Sequence, residues 1–153
     1  MKKTVVDPTP GGAATPTPTA DLEQDAKKIQ VLLVEDDTFL ANIYKTKFEM
    51  EGFRVSVSVD GEAGLADAKK KKPNIILLDI LLPKMDGFVV LSKLKEDPAT
   101  KKIPVILLTN LGQKDDVEKG LELGAVDYLI KAHFKPSETV DKVRSALKLS
   151  KKK

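Results

Sequence analysis

With 153 residues, 41% of them apolar and 32% charged, the chain is sized for one globular domain with a short extension and can bury a proper core. The absence of cysteine excludes disulfides, thiolate metal sites and a cysteine nucleophile, and the single histidine, His133, excludes a multi-histidine metal site within one chain. The net charge is +3, with lysine runs at 69–72 and 151–153 that lack interleaved aromatics and read as solvated faces and chain ends rather than a nucleic-acid surface; no apolar run is long enough to span a bilayer and no secretory signal opens the chain, so a cytoplasmic protein without membrane contact is expected.

Residues 1–29 hold four of the nine prolines, a Gly11-Gly12 pair and the stretch TPTPT at 15–19. So few apolar groups cannot offset the entropy of ordering, and a disordered, linker-like tail is expected, with a short helical turn weighed for 21–28. The domain proper should cover 30–149, followed by a basic end at 150–153.

From Ile29 onward, short apolar runs alternate with amphipathic stretches, the mark of βα units around a parallel sheet. The first run, 31–34, is apolar at every position, as in a strand covered on both faces. A helix follows Asp37 or Thr38, either a plausible cap, with Leu40, Ile43, Tyr44 and Phe48 on one face and Gly52 beyond its end. Residues 53–59 alternate Val55, Val57 and Val59 with serines, as an edge strand does. Asp60-Gly61 opens a second helix carrying Ala63, Leu65 and Ala68 and stopped by Pro73. The run 75–78 gives the third strand, and Phe88, Leu91 and Leu94 mark a third helix ending before Pro98. The fourth strand is 105–108, a helix near 113–123 closes at Gly124, and 126–130 is the fifth strand. Pro136 starts a last helix with Val140, Val143 and Leu147 in a stripe. The expected architecture is α/β, (βα)5, a doubly wound five-stranded parallel sheet.

In such sheets ligands bind at the carboxyl ends of the strands, and here those ends are polar. The first run ends in Glu35, Asp36 and Asp37, the third in Asp79, the fourth in Thr109 and the fifth in Lys131. Asp37 alone reads as a helix cap. Asp79, directly after four apolar residues, should lie at the floor of a cleft. Several carboxylates at close quarters repel one another unless a cation intervenes, and an all-oxygen set too sparse for a calcium cage favours magnesium. A lysine at the same rim makes sense if an anion, above all phosphate, also arrives.

The segments VLLVEDD (31–37), IILLDILLPKMDG (75–87), IPVILLT (103–109) and GAVDYLIK (124–131) together resemble a response-regulator receiver domain, with its flavodoxin-like fold, over about residues 29–149. The resemblance implies that Asp79 is the phosphoacceptor of a two-component phosphorelay. It implies that Mg2+ is held by Asp36 directly, by Glu35 through water, by Asp79 and by the backbone carbonyl of Leu81. It makes Thr109 and Lys131 the groups that meet the phosphoryl oxygens, and Thr109 with Tyr128 the switch that follows. It also implies a histidine kinase or phosphotransfer protein as donor and a downstream protein effector as reader, and it leaves a phosphorylation-dependent homodimer open; the absence of direct nucleic-acid contact is expected from the charge pattern alone. No output domain is expected after the last helix, and no enzymatic activity beyond the chain's own phosphoryl transfer and slow dephosphorylation.

Two departures stand out. Ala132 follows Lys131 where the family usually has a proline in a cis peptide, which leaves the form of the Lys131–Ala132 bond and the loop to Lys135 open; His133 in that loop reads as a surface residue. Leu81 and Leu111, two residues beyond Asp79 and Thr109, are apolar and cannot orient a water, so slow self-dephosphorylation is expected. A haloacid-dehalogenase-like phosphatase would need a second aspartate where Leu81 stands. A receiver-like binding module that never takes phosphate is the remaining alternative.

Overall fold

The structure is a computed structural model and describes residues 29–110, 114–131 and 135–148. The tail, Leu111, His133, the Lys131–Ala132 peptide and the basic end therefore lie outside the described residues.

Five βα units follow one another: β1 (Gln30–Val34), α1 (Thr38–Met50), β2 (Arg54–Ser58), α2 (Gly61–Lys71), β3 (Ile75–Asp79), α3 (Gly87–Glu96), β4 (Val105–Thr109), α4 (Lys114–Glu122), β5 (Asp127–Ile130) and α5 (Pro136–Ala146). All strand pairings are parallel, in the order β2-β1-β3-β4-β5. The chain thus winds outward one way from β1 to β2 and the other way through β3, β4 and β5, placing β1 and β3 side by side at the switch point.

Helices cover both faces because alternate strand residues point to opposite sides. Val31, Leu33, Ile75, Leu77, Ile106 and Leu108 meet Tyr44 and Phe48 of α1 and Val140 and Val143 of α5. Leu32, Val34, Ile76, Leu78, Val105 and Leu107 meet Ala68 of α2 and Leu91 and Leu94 of α3. This is why the three central runs are apolar at every position. Among α4's residues only Gly120 is buried, which matches its strongly polar sequence.

Three details differ from the sequence pattern. Val126 lies outside β5 and is exposed, with only its N–H drawn in, to the Val105 carbonyl at 2.9 Å. In α1, Ala41 rather than Ile43 joins Tyr44 and Phe48 in the core. On β2 the alternation fails at its end: Val59 is exposed and Ser58 is buried, its hydroxyl satisfied by donating to Asp67 Oδ2 at 2.6 Å. A hydrogen bond to a carboxylate offsets the cost of desolvating a buried hydroxyl, and polarity alone does not reveal the partner.

Helix ends follow ordinary capping chemistry. Asp37, Asp60 and Asp86 accept from Leu40 N at 3.0 Å, Ala63 N at 2.7 Å and Phe88 N at 2.6 Å, fixing the starts of α1, α2 and α3. Each start lies just past a strand end, so the caps also fix the loops that bear the polar residues.

Candidate functional site

Register brings the polar ends together. Val34 pairs with Leu78, Asp79 with Leu108 and Thr109 with Ile130, so Glu35, Asp79, Thr109 and Lys131 succeed one another at adjacent strand ends. Asp79 is carried to the cleft floor by the run before it and is 3% exposed; Thr109 is equally buried, while Asp36 faces water.

Lys131 Nζ donates to Asp79 Oδ2 at 2.8 Å and stands 2.7 Å from Glu35 Oε1. The second contact is an ion pair by distance but misses the angle of a hydrogen bond, leaving the buried Glu35 Oε1 without a hydrogen-bond donor. The other Glu35 oxygen accepts from Asp37 N at 3.1 Å, and Leu81 N donates to Asp79 Oδ1 at 3.3 Å. Asp37 is thus a helix cap, as expected, and its backbone also braces Glu35.

Burial, helped by the charge of Asp79, pushes the Glu35 carboxyl up to about 7 against the opposing pull of Lys131 and the Asp37 N–H. Burial also draws the Lys131 ammonium downward, but Asp79 and Glu35 outweigh it and leave its pKa raised. Lys131 therefore remains a cation at the centre of the cleft.

Oxygens of Glu35, Asp36 and Asp79 lie within 4.8 Å of one another. Three carboxyl groups face one ammonium and leave the cleft net negative, and Glu35 Oε1 has the Lys131 ion pair at 2.7 Å but no hydrogen-bond donor. An all-oxygen donor set with that charge suits a hard divalent cation of the magnesium class.

The MDG segment at 85–87 owes its residues to the same floor. Asp86 caps α3, and Gly87 donates to the Ile80 carbonyl at 2.8 Å while lying so close to Asp79 that a Cβ would overlap the Asp79 carbonyl oxygen. Tyr128 of β5 is half-buried, packs beside the α2–α3 core and carries Lys142 Nζ 5.7 Å from its ring centroid. Lys142 in turn reaches Asp127 Oδ2 at 3.0 Å.

Sequence reasoning placed Asp79, Glu35, Asp36 and Lys131 at one rim, and the structure brings Lys131 into contact with Asp79 and Glu35, with an Asp36 oxygen within 4.8 Å of those two carboxylates. It missed that Lys131 is shared with Glu35, because β1 and β5 are separated by two strands and no local pattern links them. It placed Tyr44 on the core face of α1 but not beside Glu35: this fully buried tyrosine has its hydroxyl pushed up to about 12 by burial and by the nearby charge of Glu35, while Thr139 hydrogen-bonds to it.

Residues 31–144 match the family model described as the response regulator receiver domain. The chain belongs to that family. This receiver is 40% identical over 119 residues to the DNA-binding dual master transcriptional regulator RpaA of Synechocystis, which covers 78% of this chain and 49% of RpaA. It is 44% identical over 102 residues to the response regulator PleD of Caulobacter vibrioides, covering 67% of this chain and 22% of PleD. The chain thus spans about half the length of RpaA and under a quarter of PleD.

Among solved structures, the receiver domain of Francisella response regulator 1452 superposes with a TM-score of 0.73 at 31% identity, covering 79% of this chain and 98% of that one. The receiver domain of the sensor histidine kinase PA1611 from Pseudomonas aeruginosa, solved with a magnesium ion coordinated in its active-site cleft, gives 0.70 at 28% identity over 76% and 94%. The receiver fold and a phosphoacceptor function in two-component signalling follow for this chain. No helix among the described residues is long and apolar enough to cross a membrane.

Proposed function

We propose that Asp79 is the phosphoacceptor of this receiver and that Glu35, Asp36, Asp79 and the Leu81 carbonyl hold Mg2+ beside it. The carrying observation is the Asp79 carboxylate on the cleft floor, 2.8 Å from the Lys131 ammonium and within metal-sharing reach of two further acids. Asp36, exposed, has free access to a cation, whereas Glu35, buried and engaged by Lys131, acts through water. A bound magnesium supplies charge neutralisation for the phosphoryl oxygens.

An Asp79 oxygen attacks phosphorus in line, forming the O–P bond as the bond from phosphorus to the donor breaks; the product is an acyl phosphate. Lys131 moves from Asp79 toward the new phosphoryl oxygens, and Thr109 donates a hydrogen bond to one of them. Drawing Thr109 inward opens space for Tyr128, so a local charge event biases the surface of α4, β5 and α5. The donor is a histidine kinase or phosphotransfer protein and the reader a protein effector. Exposed Leu81 cannot orient an attacking water, nor can Leu111, which makes the acyl phosphate long-lived. The chain acts as a signalling phosphoacceptor rather than an enzyme, in the cytoplasm.

Incubation with acetyl phosphate and Mg2+ tests the reading: a mass increase of one phosphoryl group is expected, lost in Asp79→Ala. Phosphorylation retained in Asp79→Ala moves the acceptor elsewhere. Rapid turnover of the donor without a stable adduct means a phosphatase.

A further inference from the structure

The β3–α3 loop, residues 80–86, carries Leu81, whose backbone carbonyl is the one proposed cation ligand that no side-chain rotation can aim. The outer half of this loop is held by the start of α2. Gly61 N donates to the Pro83 carbonyl at 3.1 Å, and Met85 N turns back onto the same carbonyl at 2.7 Å. A Cβ on Gly61 would overlap the Met85 carbonyl oxygen, so the close approach requires glycine. Lys84 adopts a left-handed backbone, φ 67°, and its ammonium lies 3.7 Å from Asp60 Oδ2. Asp60 uses its other oxygen to cap α2.

A non-glycine residue in the left-handed region persists only where its surroundings dictate it. The Lys84–Asp60 pair, 3.7 Å apart and with its lysine end exposed, contributes little by itself. The Gly61 hydrogen bond and the tight backbone contact at Met85 are therefore the dominant restraint, with Gly87 fixing the inner end of the loop against Ile80. Leu81 lies between the two anchors.

We propose that Asp60-Gly61 at the start of α2 is a positioning element for the cation, acting through the β3–α3 loop to set the Leu81 carbonyl. The proposal rests on the magnesium reading of the site. Coupling of this kind is reciprocal: if the clamp favours the bound cation, the cation tightens the clamp by the same factor.

Titration of the full chain with MgCl2, followed by calorimetry, comes first; a wild type that binds no Mg2+ defeats the magnesium reading itself, and with it the proposal. Given binding, Gly61→Ala is expected to weaken it about tenfold, the scale of lost outer-shell support, while Gly64→Ala stays within about twofold of wild type. Gly64 is the control because it lies in the same helix and the nearest atoms a Cβ there would meet belong to the Val34 side chain, which precedes Glu35, and not to the β3–α3 loop; a change in affinity routed through β1 would thus appear in Gly64→Ala. Unchanged Mg2+ affinity in Gly61→Ala, or equal weakening in both variants, overturns the proposal. Amide exchange in the wild type decides the matter if Gly61→Ala fails to fold. Saturation with Mg2+ should slow exchange at the Gly61 N–H and leave the Gly64 N–H, bonded to the Asp60 carbonyl inside α2, unchanged; equal or absent slowing at Gly61 overturns it.

Discussion

Lys131 Nζ lies 2.7 Å from Glu35 Oε1, an ion pair that reaches from the end of β5 to the end of β1 across two intervening strands. The same ammonium holds Asp79 at 2.8 Å, so one cation offsets two buried carboxylates until a phosphoryl group and a metal ion arrive.

Removing that cation should destabilise the metal-free protein. Lys131→Met leaves Glu35 and Asp79 buried and uncompensated, and breaking such a buried pair costs about 3 kcal/mol. Urea unfolding with a chelator present should show the loss, and added Mg2+ should narrow the gap to wild type. A midpoint equal to wild type would mean that the ion pair contributes nothing.

Glu35 gives the metal-free protein an unusual pH response. Its folded-state pKa of about 7 lies above the ordinary 4.5, so the native state keeps a proton that the unfolded chain has already released. Its contribution is therefore fully present below about pH 4.5 and is lost as pH rises through about 7, by on the order of 2–3 kcal/mol. Urea midpoints of wild type and Glu35→Gln, compared in chelator at about pH 5 and about pH 8, isolate this contribution; the variant should gain on wild type as pH rises. A constant difference between the two would refute the assignment.

The acyl-phosphate lifetime depends on whether a side chain can hold the attacking water. Leu111→Glu places a carboxylate two residues beyond Thr109 and should shorten the lifetime at least about tenfold, below the roughly hundredfold at which the contribution of a fully positioned base begins. Phosphate release after a pulse of acetyl phosphate measures it. An unchanged or longer lifetime would count against the role given to the apolar residues at 81 and 111.

Thr100 closes the end of α3. Its hydroxyl, in a fully buried residue, donates to the Leu94 carbonyl at 2.7 Å, one of the acceptors left free at the helix terminus. Thr100→Val keeps the volume but orphans that carbonyl, at a cost of about 1–2 kcal/mol in urea unfolding. Phosphorylation of Asp79 should be unaffected.

Most of the fold was legible along the chain. Consecutive apolar residues at 75–78 and 105–108 specify strands covered on both faces, and Asp37, Asp60 and Asp86 start helices by capping chemistry that operates within a few residues. The site was legible to the same extent: strand-end positions of a parallel sheet converge, so Glu35, Asp36, Asp79, Thr109 and Lys131 could be placed on one rim from order alone.

Tertiary structure decided what depends on distance across the sheet or between loops. Strand order made Lys131 the partner of Glu35 as well as of Asp79, and burial there moved the Glu35 carboxyl to about 7. Ser58 could be buried only because Asp67 of α2 lies within hydrogen-bond reach. Gly61, which the sequence marks only as a helix start, became the point where α2 meets the Met85 backbone. Sequence periodicity and capping are local and encode which residues face the core and where elements begin. Desolvation, ion pairing and steric exclusion act through space, between residues far apart in the chain, and only the folded arrangement sets them.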